Sequence, residues 1–281
     1  MTEQRGTLAR VKAAPQWVAV SLAALVVVIA SVASALLAPG SGGRSGAGAP
    51  AVSGRPASGA GATTTGSHPP IRPTAPTVAP VPDSIQHATE AAGPAVNITI
   101  DDGPDPVWTP KVLQVLRQHH VHATFCMIGP QARAHPDLVK QVVAQGHRLC
   151  DHTVHHDTTM DHKPFAYQKS EIMDALSMIE QASGGARVYY YRAPGGAFTP
   201  PSRALAAQHG MRPLGWNIDT KDFDRPGVPV ILGTLKDEIH NGPTILFHDG
   251  GGNRTQTVKA LGESLTWLRQ QGYAFSFPKV D

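Results

Sequence analysis

Two adjacent carboxylates stand where an apolar run ends near residue 100. Asp101 and Asp102 follow Ile100, and Gly103 and Pro104 break the chain directly after them. Because successive side chains of a strand point to opposite faces, the two acids need not share one task. One is suited to hold a metal ion and the other to act as a base, although a solvated Asp-Asp-Gly turn has the same sequence.

Two histidines are the natural partners of such a carboxylate. His152 and His156 lie four positions apart, a spacing that aims both imidazoles one way if the segment turns helically, whereas His155 is expected to be exposed. Alone, this pair is typical of surface histidines. With Asp102 it would form a set of two histidines and one carboxylate, which leaves coordination positions open for water and substrate. Open positions indicate catalysis.

These residues follow the ends of predicted strands. The hydrophobic pattern predicts seven strands (96–100, 123–128, 147–150, 188–191, 212–218, 244–247 and 273–277) and six helices (110–119, 136–143, 166–181, 201–209, 230–240 and 255–270). The alternation is typical of parallel β/α units with right-handed crossovers, and it fits both a doubly wound sheet and a barrel. Polar residues at the ends of several different strands favour a barrel, since closure brings every strand end to one mouth.

The two cysteines, Cys126 and Cys150, lie in successive predicted strands. If the strands are neighbours, an exported location permits a disulfide, and a pair of buried thiols is the alternative. Their spacing excludes a CxxC zinc or redox motif.

The N-terminal segments predict export. Residues 1–16 form a basic N-terminus, and the uncharged apolar segment 17–38 is long enough to span a bilayer, which takes roughly 20 residues. The basic flank predicts a cytoplasmic N-terminus with everything after residue 38 outside. Small residues at 31–35 leave a cleaved signal peptide as the alternative. The protein is therefore expected in the cell membrane as a single-pass protein, or secreted.

A linker and one domain follow the apolar segment. Residues 39–94 are rich in Gly, Ala, Ser, Thr and Pro and predict a disordered linker, whereas 95–281 is long enough for one well-buried domain. Lys plus Arg and Asp plus Glu number 18 each in that domain, so the net charge of +3 arises upstream and no nucleic-acid footprint is present. No Gly-x-Ser-x-Gly elbow occurs there, which argues against a serine hydrolase. The oligomeric state is left open.

Together, five segments of the domain resemble the motifs of a known family. In order they are Thr99–Pro104, His152–His156, Arg192–Gly196, Trp216–Phe223 and Ile245–Asp249. They are similar to the five motifs of the polysaccharide deacetylases with the NodB homology domain, carbohydrate esterase family 4. The resemblance covers essentially all of 95–281 and none of the linker. It implies a distorted (β/α)7-type barrel that removes N-acetyl, or sometimes O-acetyl, groups from a polysaccharide with a divalent metal, usually zinc, with cobalt, nickel or manganese as alternatives.

The resemblance also implies a role for each matching residue. The metal ligands would be Asp102, His152 and His156. Asp101 would be the base, oriented by Arg192, and His248 would be the acid, paired with the carboxylate of Asp222. The backbone N–H of Gly195 would donate to the oxyanion, and the substrate pocket would be lined by Trp216, Phe223 and Leu246. Two positions depart from the family pattern, because Gly195 stands where many members have an aromatic residue and Phe223 where a tryptophan is common. These departures bear on substrate range.

The expected function is metal-dependent removal of N-acetyl groups from a cell-envelope or extracellular polymer of N-acetylglucosamine, peptidoglycan foremost. An O-acetyl esterase acting on a xylan-type polysaccharide is one alternative. A catalytically silent carbohydrate-binding barrel is another, and it would be marked by loss of a metal ligand or of the base. The sequence contains all of these residues.

Overall fold

The computed structural model describes residues 78–281. The predicted basic N-terminus, the predicted membrane segment 17–38 and the linker up to residue 77 lie outside the described residues. From residue 78 onward, none of the helices has the length and apolar character needed to cross a membrane.

Eight strands form one sheet in which every strand pair is parallel. They are β1 Ala95–Asp101, β2 Thr124–Met127, β3 Arg148–Asp151, β4 Val188–Tyr191, β5 Arg212–Pro213, β6 Ile218–Asp219, β7 Thr244–His248 and β8 Ala274–Phe275. The order is β5-β4-β3-β2-β1-β7-β6, with β8 paired to the start of β1. The parallel β/α architecture expected from the alternating pattern is thus confirmed.

Seven α-helices connect these strands within the described residues. They are α1 Thr109–Gln118, α2 Gly129–Ala134, α3 Pro136–Ala144, α4 Phe165–Ser183, α5 Pro200–Gln208, α6 Val228–Glu238 and α7 Thr255–Gln270. The short helix α2 was not predicted, because Gly129 and Pro130 were interpreted only as a stop for the preceding strand. Proline is well placed in the first turn of a helix, where its missing N–H costs nothing.

The predicted strand 212–218 is wrong as a single element. The chain pairs with β4 at Arg212–Pro213, crosses to the other edge of the sheet, and pairs with β7 at Ile218–Asp219. The two edge strands β5 and β6 are not paired with each other. The sheet is therefore a half-barrel with an open seam, whereas closure of the strands into a complete barrel was expected.

The segment 78–94 packs on the domain, although it was assigned to the linker. The backbone N–H of Gln86 donates to Pro213 O at 2.8 Å, and Gln86 O accepts from the N–H of Gly215 at 3.0 Å. Next to it, the hydroxyl of Thr244 donates to His87 O at 2.6 Å. The segment thus lies across the seam, where it satisfies backbone groups that the missing strand pair leaves free. The folded domain begins well before residue 95.

Two buried clusters occupy the two faces of the sheet. The larger one packs the helices against residues such as Phe125 and Leu149. The smaller one contains Cys126, Cys150, Tyr190 and Leu214. Cys126 and Cys150 are register partners on β2 and β3, and the structure joins them in a disulfide.

Candidate active site

One cavity of about 400 Å³ opens at the carboxyl ends of the strands. Parallel strands place their carboxyl ends at one edge of the sheet, so residues distant in sequence meet there. The lining residues are Asp101, Asp102, His152, His156, Thr158, Gly195, Trp216, Asp219, Lys221, Phe223, Leu246 and His248. The structure therefore brings all five motif segments to one place.

Asp102, His152 and His156 form a cluster with the geometry of a cation site. Each offers one ligand atom, and the three atoms lie within 4.8 Å of one another. Nε2 of His156 lies 3.3 Å from Oδ1 of Asp102, and Nε2 of His152 lies 3.6 Å from the same oxygen. That buried oxygen has no hydrogen-bond partner among the described residues. A buried acceptor without a donor, facing two imidazoles, fits a metal ion.

The tautomer of His152 is set by its surroundings. Nδ1 lies 2.7 Å from the carbonyl oxygen of Arg192, which can only accept, so Nδ1 carries the proton and Nε2 offers its lone pair to the cluster. Burial lowers the pKa of His152 to about 3, which keeps the ring neutral. A neutral imidazole is the form that binds metals.

The two histidines converge because of a loop, whereas the four-residue spacing suggested a helical turn. Residues 152–156 contain no helix, and the backbone adopts positive φ at Asp102 (78°), Thr153 (70°) and His156 (51°). Left-handed conformations are uncommon for residues other than glycine. All three occur where the chain turns the metal-ligand candidates into the cavity.

Two buried carboxylates that the sequence analysis missed hold this loop. Asp151 Oδ1 accepts from the N–H of Thr153 at 2.8 Å. Glu171 of α4 accepts from the N–H groups of Val154 at 3.1 Å and His155 at 2.8 Å. Glu171 lies on the buried face of α4 beside Ile172. A charged residue on an apolar helix face is the signal that could have identified it.

Asp101 lies fully inside the site and is paired with Arg192. Nη1 of Arg192 donates to Oδ1 of Asp101 at 2.7 Å, and the rest of the guanidinium donates to Leu214 O at 3.2 Å and Gly215 O at 2.9 Å. Burial raises the pKa of Asp101 and outweighs the opposing effect of Arg192, so the pKa lies above its ordinary value. Arg192 therefore orients the carboxylate without bringing its pKa below the ordinary value.

His248 and Asp222 form the second buried pair. Nδ1 of His248 donates to Oδ1 of Asp222 at 2.7 Å, and the backbone N–H of His248 donates to Oδ2 at 3.0 Å. The hydroxyl of Thr257 also donates to Oδ2, at 2.7 Å. Burial lowers the pKa of His248, but the hydrogen bond and charge of Asp222 outweigh it and raise the pKa to about 9. The imidazole therefore holds its proton at neutral pH.

The walls of the cavity are apolar on one side and open on another. Trp216, Leu246 and Phe223 line it, and the Phe223 ring packs edge-on against His248 with centroids 5.2 Å apart. Gly195 has φ +58°, and a Cβ added there would lie 3.1 Å from Cβ of Thr158. The wall at Gly195 therefore carries no side chain that could cover a substrate. Asp219 and Lys221, which the sequence analysis did not assign, form an ion pair at the cavity wall.

Comparison with known proteins agrees with this site. The family profile described as polysaccharide deacetylase matches residues 88–214. A peptidoglycan-N-acetylglucosamine deacetylase of Bacillus cereus is 37% identical over 185 residues, which cover 64% of this chain and 84% of that protein. A chitooligosaccharide deacetylase of Sinorhizobium fredii is 34% identical over 190 residues, covering 64% and 88%.

A solved structure of a peptidoglycan N-acetylglucosamine deacetylase in complex with a hydroxamate-type ligand superposes with a TM-score of 0.63 at 26% identity, covering 69% of this chain and 89% of that chain. The parallel half-barrel and the polar mouth of its cavity define an α/β hydrolase of the class to which these deacetylases belong. The chain belongs to the polysaccharide deacetylase family, carbohydrate esterase family 4.

Proposed function

We propose that this polysaccharide deacetylase removes N-acetyl groups from an N-acetylglucosamine polymer of the cell envelope, with peptidoglycan as the foremost substrate. The observation that carries the proposal is the meeting, in one cavity, of a cluster fit for a cation, a buried carboxylate and a protonated imidazole. Together these three groups can carry out metal-assisted hydrolysis of an amide. The similarity to deacetylases acting on peptidoglycan and chitooligosaccharides supports the substrate class.

A divalent cation would be held by Asp102, His152 and His156. Two imidazoles and one carboxylate suit zinc best, and cobalt, nickel or manganese are alternatives. The chemistry that such an ion supplies when bound is Lewis-acid polarisation of the acyl carbonyl and activation of water. The unpartnered oxygen of Asp102 is the feature of the chain that supports this assignment.

Asp101 would act as the base. One of its oxygens, Oδ1, is occupied by Arg192, whereas Oδ2 lies 3.5 Å from Nε2 of His152 on the side of the metal-ligand candidates. Oδ2 is therefore the atom that accepts the proton when water attacks the amide carbon. Arg192 keeps the carboxylate aimed, because its other donors are fixed by Thr99 and by the carbonyl oxygens of Leu214 and Gly215.

His248 would protonate the leaving amine. An amine is a poor leaving group unless it gains a proton as the C–N bond breaks. Since Nδ1 of His248 is committed to Asp222, Nε2 is the atom that delivers the proton. The backbone N–H of Gly195 would donate to the developing oxyanion, and Trp216, Leu246 and Phe223 would enclose the acetyl methyl group and the sugar.

The domain would act outside the cytoplasm. The basic N-terminus, the apolar segment 17–38 and the buried disulfide support export, either as a single-pass membrane protein or after cleavage of a signal peptide. As a single-pass protein, it would be anchored in the membrane by the segment 17–38. The exported location matches a cell-envelope substrate.

The test is acetate release by the full-length chain from peptidoglycan, N-acetylchitooligosaccharides and acetylated xylan. We expect release from the first two, loss after treatment with a chelator and recovery with zinc. His156→Gln should abolish zinc-restored activity, whereas His162→Gln, whose side chain is 82% exposed, is the matched control and should keep it. Release from acetylated xylan alone would identify an O-acetyl esterase, and zinc binding without any release would identify a silent carbohydrate-binding protein; either result contradicts the proposal.

A further inference from the structure

Arg254 is a buried arginine beside the active site that none of the roles above uses. Only 3% of its surface is exposed, and it stands at the N-cap position of α7. Its Nε donates to Gly250 O at 2.6 Å, and its Nη1 donates to Phe223 O at 3.2 Å. Among the described residues these carbonyl oxygens are its only side-chain acceptors, whereas the buried Arg192 is paired with a carboxylate.

Burying a guanidinium without a carboxylate partner is energetically unfavourable. Desolvation opposes the charge, and an apolar side chain of similar volume would avoid that cost. What an apolar side chain lacks is the planar fork, which can donate to two carbonyl groups in fixed directions at once. The two acceptors of Arg254 belong to different loops, Phe223 to the one after β6 and Gly250 to the one after β7. The fork is therefore used as a link between these loops.

Both linked residues contact the reactive groups. A Cβ added at Gly250 would collide with the backbone oxygen of Asp102, so this glycine lies directly against the metal-ligand candidate. Phe223, at the other end of the link, packs its ring against the imidazole of His248. Arg254 thus connects the backbone on which Asp102 rests with the ring that borders His248.

The neighbouring glycine keeps the guanidinium close to the metal-ligand candidate. A Cβ at Gly251 would lie 3.0 Å from Nη2 of Arg254 and 3.4 Å from Oδ2 of Asp102. A side chain there would therefore press against both the guanidinium of Arg254 and the carboxylate of Asp102. Gly251 also adopts φ +73°, a conformation that favours glycine.

We propose that Arg254 is a positioning residue of the deacetylation site. It fixes the loop at Gly250 against Asp102 and fixes Phe223 against His248, so one side chain sets the geometry of both the metal-binding and the proton-donating groups. The proposal rests on the proposed function for the roles of Asp102 and His248. It adds a physical connection between them that does not pass through Asp101 or Arg192.

The test uses two substitutions and a matched control in the full-length chain. Arg254→Lys keeps the charge without the fork, and Arg254→Met keeps most of the volume without the charge. Arg269→Met, at an exposed arginine near the end of the same helix, is the control. Three properties are measured: zinc affinity by competition with a chromogenic chelator, the pKa of His248 by NMR, and kcat and KM for a chitooligosaccharide.

We expect both Arg254 variants to bind zinc about 10- to 100-fold more weakly, as is typical when a group supporting a metal ligand is removed. Their kcat should fall with little change in KM, and the NMR signal of His248 should shift, while Arg269→Met matches the wild type. Wild-type zinc affinity and kcat in both variants would overturn the proposal. So would losses that are fully explained by the unfolded fraction measured by circular dichroism. Zinc affinity and the His248 signal need no substrate, so the proposal can be judged even if the substrate class is wrong.

Discussion

The two sides of the cavity each hold a buried proton-transfer candidate with a raised pKa, but the cause of the shift differs. On one side, Asp101 pairs with a guanidinium that makes three further hydrogen bonds, yet burial still raises its pKa. On the other, His248 is also buried, but the carboxylate of Asp222 outweighs burial and raises the pKa to about 9. A partner of opposite charge therefore does not by itself decide the direction of a pKa shift.

The two partners also differ in how their hydrogen bonds are distributed. Arg192 divides its donors among Asp101, Thr99 and two backbone carbonyls, so only one of them reaches the acid. Asp222 directs both oxygens at His248, one to the ring and one to the backbone. A raised carboxylate pKa suits a general base, and a raised imidazole pKa suits a general acid. The same end of the half-barrel therefore holds a candidate for each role.

The largest effect should come from removing the base. Asp101→Asn keeps the size of the side chain and an acceptor for Arg192, but it cannot take a proton at neutral pH. We expect kcat for N-acetyl substrates to fall by about 10²- to 10⁴-fold, while zinc affinity stays at the wild-type level. Acetate release and a zinc titration of the same preparation check this. Turnover close to wild type would remove Asp101 from the role of base.

Removing the acid should produce a loss that depends on the leaving group. In His248→Gln, hydrolysis of the sugar amide should fall by about 10²-fold, because the amine can no longer be protonated as it leaves. Hydrolysis of 4-nitrophenyl acetate should change little, since a phenolate leaves without a proton. The ratio of the two rates is the measurement. Equal losses on both substrates would show that the imidazole serves both sides of the cavity.

The pH dependence should reveal the contribution of Asp222. Activity needs the protonated form of His248, so it falls as pH rises through the pKa of this residue. Asp222 raises that pKa to about 9 from an ordinary value of 6.5. In Asp222→Asn the alkaline limb of the kcat profile should therefore move to lower pH. A limb that stays in place would assign it to another group, and Asp224→Asn on the exposed side of the same turn is the control.

The smallest effect on catalysis should follow loss of the disulfide, whose two cysteines lie close to the metal-ligand candidates. Cys126 O accepts from the N–H of Asp102 at 3.2 Å, and Cys150 precedes His152 by two positions. Cys126→Ala with Cys150→Ala opens a loop with a sequence separation of 24. The free energy of unfolding should drop by about 3 kcal/mol while kcat of the folded enzyme changes little. Urea unfolding measures the change in stability, and acetate release measures kcat. A zinc titration completes the test, because weaker zinc binding would show that the crosslink also aligns the ligands.

The residues at the strand ends could be predicted because they depend on local signals. Apolar runs that end in Asp101-Asp102, His152 and His248 place these side chains at one edge of any parallel sheet, whatever the order of the strands. Their convergence in one cavity follows from that placement.

The remaining features depend on contacts that no local pattern encodes. The run 212–218 has the same periodicity whether it is one strand or two, because its pairing partners lie elsewhere in the chain. Gln86 lies in a stretch that is too polar to indicate a strand, yet its backbone forms hydrogen bonds with Pro213 and Gly215 at the open seam. Arg254 follows Gly-Gly-Asn and has the composition of an exposed turn. Its role depends on where the carbonyl groups of two loops come together.

The first described residues contact the domain far from the cavity. Val78 lies next to Gly210, and the N–H of Val81 donates to Ala207 O at 3.0 Å, so the polypeptide joins the domain at the loop that precedes β5. That loop belongs to the floor of the half-barrel, whereas the cavity opens at its roof. Residue 78 therefore meets the domain on the side opposite the cavity, so a substrate can approach the mouth without meeting this segment.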